Sequence, residues 1–332
     1  MLFATLFGAT LALPAAAQDL EVPFTLDWRF EGPAAPYFLA IDNGCFAEEG
    51  LAVDIAPGQG SLDAIPKVAT GAFPIGFADM ASLIKFIDQN PDAPVIAVMV
   101  MYNKPAFAVV GRISRGITSP ADLEGHTLGA PPPDGAWAQF PVFAAAQGLD
   151  MSRITVEPVG FPTREPMLAS GEVDAVTGFS FTSYLNTVRL GVDPADISVM
   201  LMADYGVELY GNAIIVNTDW AAEHPEAVTG FLRAVARGVV AANEDPAAGV
   251  AAIAARNPAL DSELEIERLQ IALRDNILTP WVLENGLGGI DAARFATSLE
   301  QIAMTYAFTN TPDAGRYFTD MYLPTDGSLS MR

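Results

Sequence analysis

Residues 26–81 read LDWRFEGPAAPYFLAIDNGCFAEEGLAVDIAPGQGSLDAIPKVATGAFPIGFADMA, and this stretch alternates predicted strands with predicted helices. FTLDW (24–28), LAVDIA (51–56) and PIGFA (74–78) are short apolar runs bounded by polar or glycine-rich joints, which predicts three strands. The apolar residues of 36–48 recur at helical spacing, and Gly50 is typical of a helix end. The stretch therefore predicts a βαβαβ unit.

Polar and aromatic residues stand where the predicted strands of this unit end. Asp27 and Trp28 close the first strand, Gly60 and Ser61 follow the second, and Asp79 follows the third. Ser61 is also placed to cap the next helix. In an open parallel sheet, ligands bind at the carboxyl ends of the strands. These five residues are therefore candidates for a ligand site.

Four phrases of the chain together resemble one protein family. They are LDWRFEGPAAPYFLAIDNGCFAEEGL, PGQGSLDAIPKVATGAFPIGFAD, ADLEGHTLGAPPPDGAWAQFPVFAAAQGLD and LYGNAIIVN. In this order they resemble the NMT1/THI5-like substrate-binding proteins of ABC importers, and the resemblance covers nearly all of the chain after residue 17. That family includes binders of thiamine pyrimidine precursors and relatives that bind nitrate, sulfonates or aromatic acids.

The resemblance implies the two-lobed α/β fold of type II periplasmic binding proteins, in which each lobe is a doubly wound sheet. We expect lobe one at 18–105 and 212–332, and lobe two at 106–211. The apolar run 95–102 predicts a central parallel strand of lobe one. Two crossings between the lobes, at 101–111 and 209–216, predict a hinge.

The composition of the chain excludes some classes of function. The chain has 332 residues, 51% of them hydrophobic, and a net charge of −23. This length is ample for two domains with large cores. No nucleic-acid partner is expected, because phosphate contacts require a basic face. The acidity is typical of a solvated surface.

The first 17 residues, MLFATLFGATLALPAAA, predict an export signal. They carry no charge, and Ala15 and Ala17 have the small-x-small form of a cleavage site before Gln18. The n-region lacks the usual Lys or Arg. A single cysteine, Cys45, excludes a disulfide within the chain. We therefore expect a soluble, monomeric protein of the periplasm.

Several kinds of reaction chemistry have no support in the sequence. The two histidines, His126 and His224, lie far apart and outside any HExxH pattern. The chain has no GxSxG elbow and no GxxxxGK[ST] loop. No catalytic residue, metal or cofactor is therefore expected.

Residues suited to binding a ligand are more numerous than residues suited to catalysis. The aromatic candidates at strand ends or helix starts are Trp28, Tyr37, Tyr102, Trp137, Phe179, Tyr184 and Tyr210. Aromatic faces at these positions could sandwich a flat ligand, although each alone is more simply explained by packing. The acceptors for N–H donors or a cation are Asp27, Asp79, Asp134 and Glu208. Family resemblance favours Trp28 and Asp79 as ligand contacts, at the mouth of the cleft and not in the core.

Arg164 is the one basic residue near the predicted cleft edge. It could pair with a carboxylate or sulfonate, but capping of a surface helix is the simpler interpretation.

Abundant acidic and aromatic residues favour a small planar, nitrogen-containing heterocycle as the ligand. The lobes would close on this ligand and deliver it to an ABC permease of the inner membrane. A sulfonate, nitrate or aromatic acid remains the alternative ligand. A pyrimidine synthase or a periplasmic sensor module remains the alternative function.

Overall fold

The computed structural model describes residues 19–332, and the predicted export signal at 1–17 lies outside the described residues. Within this range the strands are β1 (Leu20–Thr25), β2 (Leu51–Ala56), β3 (Ile75–Asp79), β4 (Val95–Val100), β5 (Phe107–Arg112), β6 (Thr127–Ala130), β7 (Thr155–Pro158), β8 (Ala175–Phe179), β9 (Ile197–Leu201) and β10 (Asn212–Asn217).

Helices cover both faces of the sheets. They are α1 (Ala35–Asp42), α2 (Cys45–Glu48), α3 (Ser61–Ala69), α4 (Met80–Gln89), α5 (Gly135–Gln147), α6 (Phe161–Ser170), α7 (Ser180–Arg189), α8 (Thr218–Glu223), α9 (Pro225–Glu244), α10 (Pro246–Ala254), α11 (Ser262–Ala272), α12 (Pro280–Asn285) and α13 (Ala292–Ala303). A π-helical turn, Leu273–Ile277, extends α11. Across residues 19–332, no helix combines the length and apolar character needed to cross a membrane.

The strands form two five-stranded sheets with the same topology. One sheet has the order β2-β1-β3-β10-β4 and the other β7-β6-β8-β5-β9. We call them, with their helices, lobe one and lobe two. In each sheet the first three strands are parallel, and the fourth, β10 or β5, is antiparallel to both neighbours. The predicted two-lobed α/β class is thus confirmed, with mixed sheets in place of parallel ones.

Three details of the predicted elements are wrong. β1 ends at Thr25 and not at Trp28, because the chain turns there to meet the loop after β2. The predicted helix 36–48 is two helices, separated by Gly44 with a left-handed φ of 74°. β4 is an edge strand, and its apolar character reflects side chains that are buried on both faces of the sheet, while single bridges from Phe318 and Gly288 cover its outer edge.

The core of lobe one leads into the space between the lobes through a chain of aromatic rings. Phe231 on α9 lies 5.2 Å from Phe24, which lies 5.1 Å from Tyr37. Tyr37 lies 5.8 Å from Phe77, and Phe77 lies 5.5 Å from Tyr102. Each of these pairs has an edge-to-face geometry, which adds to the free energy of burial. The inner rings are therefore held rigidly by the core.

The two crossings between the lobes are held by the C-terminal part of the chain. Arg294 on α13 donates from Nη2 to the carbonyl oxygens of Asn103, on the first crossing, and Leu209, on the second, each at 2.8 Å. Its guanidinium also lies 4.1 Å from the centre of the Tyr210 ring. Asn276, in the π-helical turn, exchanges two hydrogen bonds with the backbone of Lys104. One side chain thus ties both crossings together.

Candidate ligand-binding site

A cavity lies between the two lobes at the carboxyl ends of β1, β2 and β3 and faces the equivalent edge of lobe two. It encloses about 780 Å³ of empty space, including its open mouth. Nine of the twelve predicted site residues line this cavity: Asp27, Trp28, Tyr37, Gly60, Ser61, Asp79, Tyr102, Asp134 and Phe179. The cavity therefore lies where the sequence predicts a ligand site, at the carboxyl ends of the strands.

Trp137 and Tyr184 were expected at the site but lie outside the cavity lining. Trp137 turns into lobe two, where its ring stacks on Phe140 with centroids 5.6 Å apart. Tyr184 packs against the buried cluster that includes Leu168 and Val173. On both helices the ring packs against the core of lobe two and does not point toward the cavity.

Tyr210 also lies outside the cavity lining, and so does Glu208. The Tyr210 hydroxyl accepts a hydrogen bond from the backbone N–H of Asp291 at 2.8 Å, and its ring lies under Arg294. The Glu208 carboxylate is half exposed and lies 3.6 Å from the same guanidinium. Both residues therefore belong to the crossing that leads back into lobe one.

The cavity has further lining residues that the sequence did not single out. They are Leu26, Arg29, Glu31, Pro33, Ala34, Phe77, Pro133, Gly135, Phe161, Phe181 and Thr182. Many of them stand within a few residues of a predicted strand end, so the rule that found Trp28 could have found Glu31 and Phe181. Phe161 opens α6 and carried no comparable signal. Arg164, which the sequence placed near the cleft edge, also lines the cavity.

Asp27 forms the floor of the cavity together with neutral partners. Its Oδ2 accepts hydrogen bonds from Asn212 Nδ2 at 2.6 Å and from Ser61 Oγ at 3.1 Å. Ser61 is the first residue of α3 and not its cap, so its hydroxyl is available to this network. The Ser61 oxygen also accepts a bond from the backbone N–H of Asp79 at 2.9 Å. The ends of three strands are thus tied together below the cavity.

The glycines of GQG allow the loop after β2 to lie against the loop that carries Asp27. A Cβ at Gly58 would lie 2.1 Å from the carbonyl oxygen of Leu26. The N–H groups of Gly58 and Gly60 donate to the carbonyl oxygens of Trp28 and Asp27, at 3.0 and 2.5 Å. Only glycine permits this approach of two backbones.

Asp79 has a structural role that the sequence did not predict. It is 1% exposed and caps α4, with Oδ1 accepting hydrogen bonds from the N–H groups of Ala81 at 2.9 Å and Ser82 at 3.3 Å. Burial raises its pKa to about 7, while these bonds and the nearby charge of Lys85 act in the opposite direction. Its expected position at the cleft mouth, away from the core, is wrong.

Replacing Asp79 with alanine should lower the free energy of unfolding by about 1 kcal/mol relative to Asp79→Asn, because α4 loses its cap. Asp79→Asn is the matched reference, since its amide oxygen still accepts the capping bonds and, like alanine, it carries no charge. At neutral pH the asparagine variant should be at least as stable as the wild type, because burial raises the pKa of the Asp79 carboxyl to about 7 and makes its charged form costly. Urea denaturation at neutral pH measures both variants. Equal stability of the two variants would contradict a capping role.

Asp134 faces the cavity from lobe two and caps α5. Its Oδ1 accepts from the N–H of Ala136 at 3.3 Å and its Oδ2 from Thr177 Oγ1 at 3.1 Å. Arg164 is 3% exposed, and its Nη1 lies 3.9 Å from that Oδ2 while Nη2 lies 2.6 Å from Glu165. Burial raises the pKa of Asp134 and the Arg164 charge opposes that rise. Arg164 is therefore a buried cavity residue, and the prediction of a surface helix cap is wrong.

Glu31 connects the cavity to a buried ion-pair network. Arg268 is 1% exposed; its Nε donates to Glu265 at 2.9 Å and its Nη1 lies 3.4 Å from Glu31. The same Glu265 oxygen accepts a bond from the N–H of Gly32 at 2.6 Å. Arg268 Nη2 donates to Asn186 on α7 at 3.0 Å. Because α7 belongs to lobe two, the network joins the lobes behind the cavity.

Aromatic rings from both lobes meet around the cavity. Trp28 lies edge-to-face with Phe161, with ring centroids 5.0 Å apart. Tyr102 lies 6.5 Å from Phe179 in the same geometry. These edge-to-face pairs bring apolar ring surface from both lobes to the cavity, beside its carboxyl groups. The arrangement suits a planar ligand with polar edges.

The pKa of Asp27 gives a test by pH. Burial raises it to about 6, while the bonds from Ser61 and Asn212 oppose the rise. A carboxyl with a raised pKa in the folded state stabilises the fold when protonated, so this stabilisation is lost as the pH rises from about 4 through 6. Relative to Asp27→Asn, the ligand-free wild type should lose about 1–3 kcal/mol of unfolding free energy over this range. Denaturation at a series of pH values measures the difference, and parallel profiles would contradict the shift.

The described part of the chain shows no arrangement of side chains suited to metal binding or nucleophilic catalysis. Residues 19–332 contain no group of three or more His, Cys, Asp or Glu residues placed to hold a metal ion. His126, His224 and Cys45 all lie outside the cavity lining. The cavity offers hydrogen-bond acceptors, arginine donors and aromatic faces, which are the means of binding a small molecule.

Comparison with solved structures defines the class of fold. The alkanesulfonate-binding protein SsuA from Xanthomonas axonopodis pv. citri, bound to MOPS, superposes with a TM-score of 0.67 at 15% identity, covering 93% of this chain and 99% of that one. The chain thus has the two-lobed fold of the type II periplasmic binding proteins. It belongs to the NMT1/THI5-like family, whose sequence model matches residues 33–249.

Characterised relatives of the chain include binding proteins and an enzyme. It is 32% identical over 255 residues to the formylaminopyrimidine-binding protein of Halalkalibacterium halodurans, with 74% of each chain covered. It is 27% identical to the riboflavin-binding protein RibY of Chloroflexus aurantiacus, with 87% of this chain and 82% of that one covered. A 4-amino-5-hydroxymethyl-2-methylpyrimidine phosphate synthase of Uromyces fabae is more distant, at 24% identity. The two relatives with the higher identity are binding proteins and not enzymes.

Proposed function

We propose that this protein is the solute-binding component of an ABC importer and captures a small planar, nitrogen-containing heterocycle between its lobes. The observation that carries the proposal is a cavity with aromatic walls whose acceptor carboxylates come from both lobes. A ring that stacks between the walls and donates N–H groups at its edges satisfies both features. Capture requires only that the ligand bind the closed arrangement better than the open one.

The names of two relatives support this class of ligand. One relative is named for binding formylaminopyrimidine and the other for binding riboflavin, and both compounds are nitrogen heterocycles. The residues that we propose for ligand contact are the nine that the sequence predicted and that line the cavity. Glu31, Phe161 and Arg164 join them from the structure.

The acidic character of the cavity disfavours the alternative ligands. Sulfonate, nitrate and aromatic acids are anions, and they would meet the four carboxyl groups of Asp27, Glu31, Asp79 and Asp134. Arg164, which could attract an anion, is already neutralised by Glu165. The other lining arginine, Arg29, is exposed to solvent, so an anion taken deep into the cavity would lose its hydration without a matching buried charge.

The location and partners form a further part of the proposal. We propose that the protein acts as a periplasmic monomer and that its closed form docks on a membrane permease. A sensor module with the same ligand would differ only in its docking partner. Permease and ATPase genes next to the gene for this chain would support transport over sensing.

Replacing Trp28 with alanine should weaken ligand binding by about 1–3 kcal/mol, by analogy with the stacking of bases on aromatic rings. This corresponds to a factor of roughly 5 to 150 in dissociation constant. A thermal-shift screen of pyrimidines, flavins, aromatic acids and sulfonates first identifies a ligand, and calorimetric titration then compares the variants.

Trp137→Ala is the matched control, because that ring lies outside the cavity, and it should keep the wild-type affinity. Unchanged affinity in the Trp28 variant would place the ligand elsewhere. Tighter binding of sulfonates than of any heterocycle would overturn the proposed ligand class.

A further inference from the structure

The four carboxyl groups of the cavity differ in what compensates their charge. Asp79 is compensated by the N-terminal N–H groups of α4. Asp134 combines the N-terminus of α5 with the nearby Arg164 guanidinium. Glu31 faces Arg268. Asp27 has no ion pair with any described residue and caps no described helix, so only the neutral donors Ser61 and Asn212 offset its charge.

The Asp27 carboxylate also has an oxygen that its protein neighbours do not use. The side chain is only 7% exposed, and both of its hydrogen bonds, from Ser61 and Asn212, go to Oδ2. Oδ1 accepts no hydrogen bond from the described residues. Oδ1 is not among the fully buried atoms that lack a partner, so it is open to the cavity, and a charged donor that reaches it there forms a strong hydrogen bond.

We infer that the ligand enters the cavity as a cation and that Asp27 is its counterion. This inference rests on the proposed function and narrows it. The chemical class is a planar ring with an amidinium-type edge, in which a protonated ring nitrogen stands beside an amino group. Two parallel N–H donors on such an edge match one carboxylate, as in arginine–carboxylate pairs.

The surroundings of Asp27 favour a cation in two further ways. The aromatic residues Trp28 and Tyr37 line the same cavity, and aromatic rings attract positive charge, as the Arg29 guanidinium 5.4 Å from the centre of the Trp28 ring illustrates. The lining cations do not compete for Asp27, because Arg29 is exposed at the mouth and Arg164 is held by Glu165. A neutral aminopyrimidine would take up one proton on binding, either from solvent or from the Asp27 carboxyl group.

Three planar probes of equal size and different charge test this inference. Benzamidine is a cation, benzamide is neutral and benzoate is an anion, so calorimetric titration of the wild type isolates the effect of charge. We expect benzamidine to bind at least about tenfold more tightly than the other two, equivalent to about 1.4 kcal/mol. Asp27→Asn should abolish this preference, whereas Asp54→Asn, an exposed position on β2, should retain it.

A pH series on the wild type keeps the test independent of whether the Asp27 variant folds. Benzamidine stays cationic from about pH 8 to about pH 5, whereas the cavity carboxyl groups of Asp27 and Asp79, with pKa values raised to about 6 and about 7, become protonated, so its binding should weaken at least roughly tenfold over that range. Benzamide should show no such change. Equal affinity for benzamide, preference for benzoate, or no benzamidine binding at its solubility limit would each overturn the inference. A neutral heterocycle from the screen that loses affinity in Trp28→Ala would overturn it while leaving the proposed function intact.

Discussion

Replacing Arg268 with methionine should lower the free energy of unfolding by about 3–5 kcal/mol, the cost of removing one partner from a buried ion pair. The guanidinium lies between Glu265 and Glu31 and is 1% exposed. Without it, the buried Glu265 carboxylate faces the partly buried Glu31 carboxylate, and burial already raises the pKa of Glu31. Methionine keeps most of the volume, so the loss measures charge compensation more than packing.

Urea denaturation of Arg268→Met is compared with that of the control variant Arg274→Met, which makes the test specific. Arg274 is exposed and pairs only with its neighbour Asp275, so its loss should change stability by less than about 0.5 kcal/mol. The double variant Arg268→Met with Glu265→Gln should recover part of the stability, because it removes one of the carboxylates left unpaired. Equal losses for Arg268 and Arg274 would show that the network contributes nothing.

The unit that decides the fold could be predicted from local sequence because its features are local. Apolar periodicity and the glycine after each helix are properties of a few consecutive residues. The end of β1 is not local, since it depends on Gly58 and Gly60, which donate to the backbone carbonyls of Trp28 and Asp27 from a loop about 30 residues later. The direction of β10 is not local either. An apolar run indicates a buried strand, but it does not indicate whether the neighbouring strands run parallel or antiparallel to it.

The sequence could predict where the site lies, but not which hydrogen bonds and ion pairs its side chains form. Strand ends located Asp27, Ser61 and Asp79, because the carboxyl edge of a sheet follows from topology. Residue type alone could not tell that Asp79 would cap α4. It also could not tell that Arg164 would be buried, since that burial depends on Glu165 beside it and Asp134 in another loop. Long-range pairing of charges leaves no pattern along a single chain.

Replacing Arg294 with alanine should cost about 2–4 kcal/mol of unfolding free energy, because charged hydrogen bonds contribute about 1.5–3 kcal/mol each. The side chain donates to the carbonyl oxygens of Asn103 and Leu209, one on each crossing, and covers the Tyr210 ring. Its loss should also weaken ligand binding roughly tenfold, or about 1.4 kcal/mol, because the crossings no longer hold the arrangement that closes the cavity.

Two measurements separate a hinge role of Arg294 from a general structural role. Calorimetric titration with the ligand from the screen gives the affinity, and small-angle scattering with and without that ligand gives the change in radius on closure. Arg256→Ala, which breaks a surface ion pair with Asp42 in lobe one, is the matched control and should leave both quantities unchanged. A variant of Arg294 that loses stability but keeps wild-type affinity and closure would assign the side chain to the fold alone. Lost affinity with a smaller change in radius is the result expected of a residue that couples both crossings, because closure then costs free energy that ligand binding must supply.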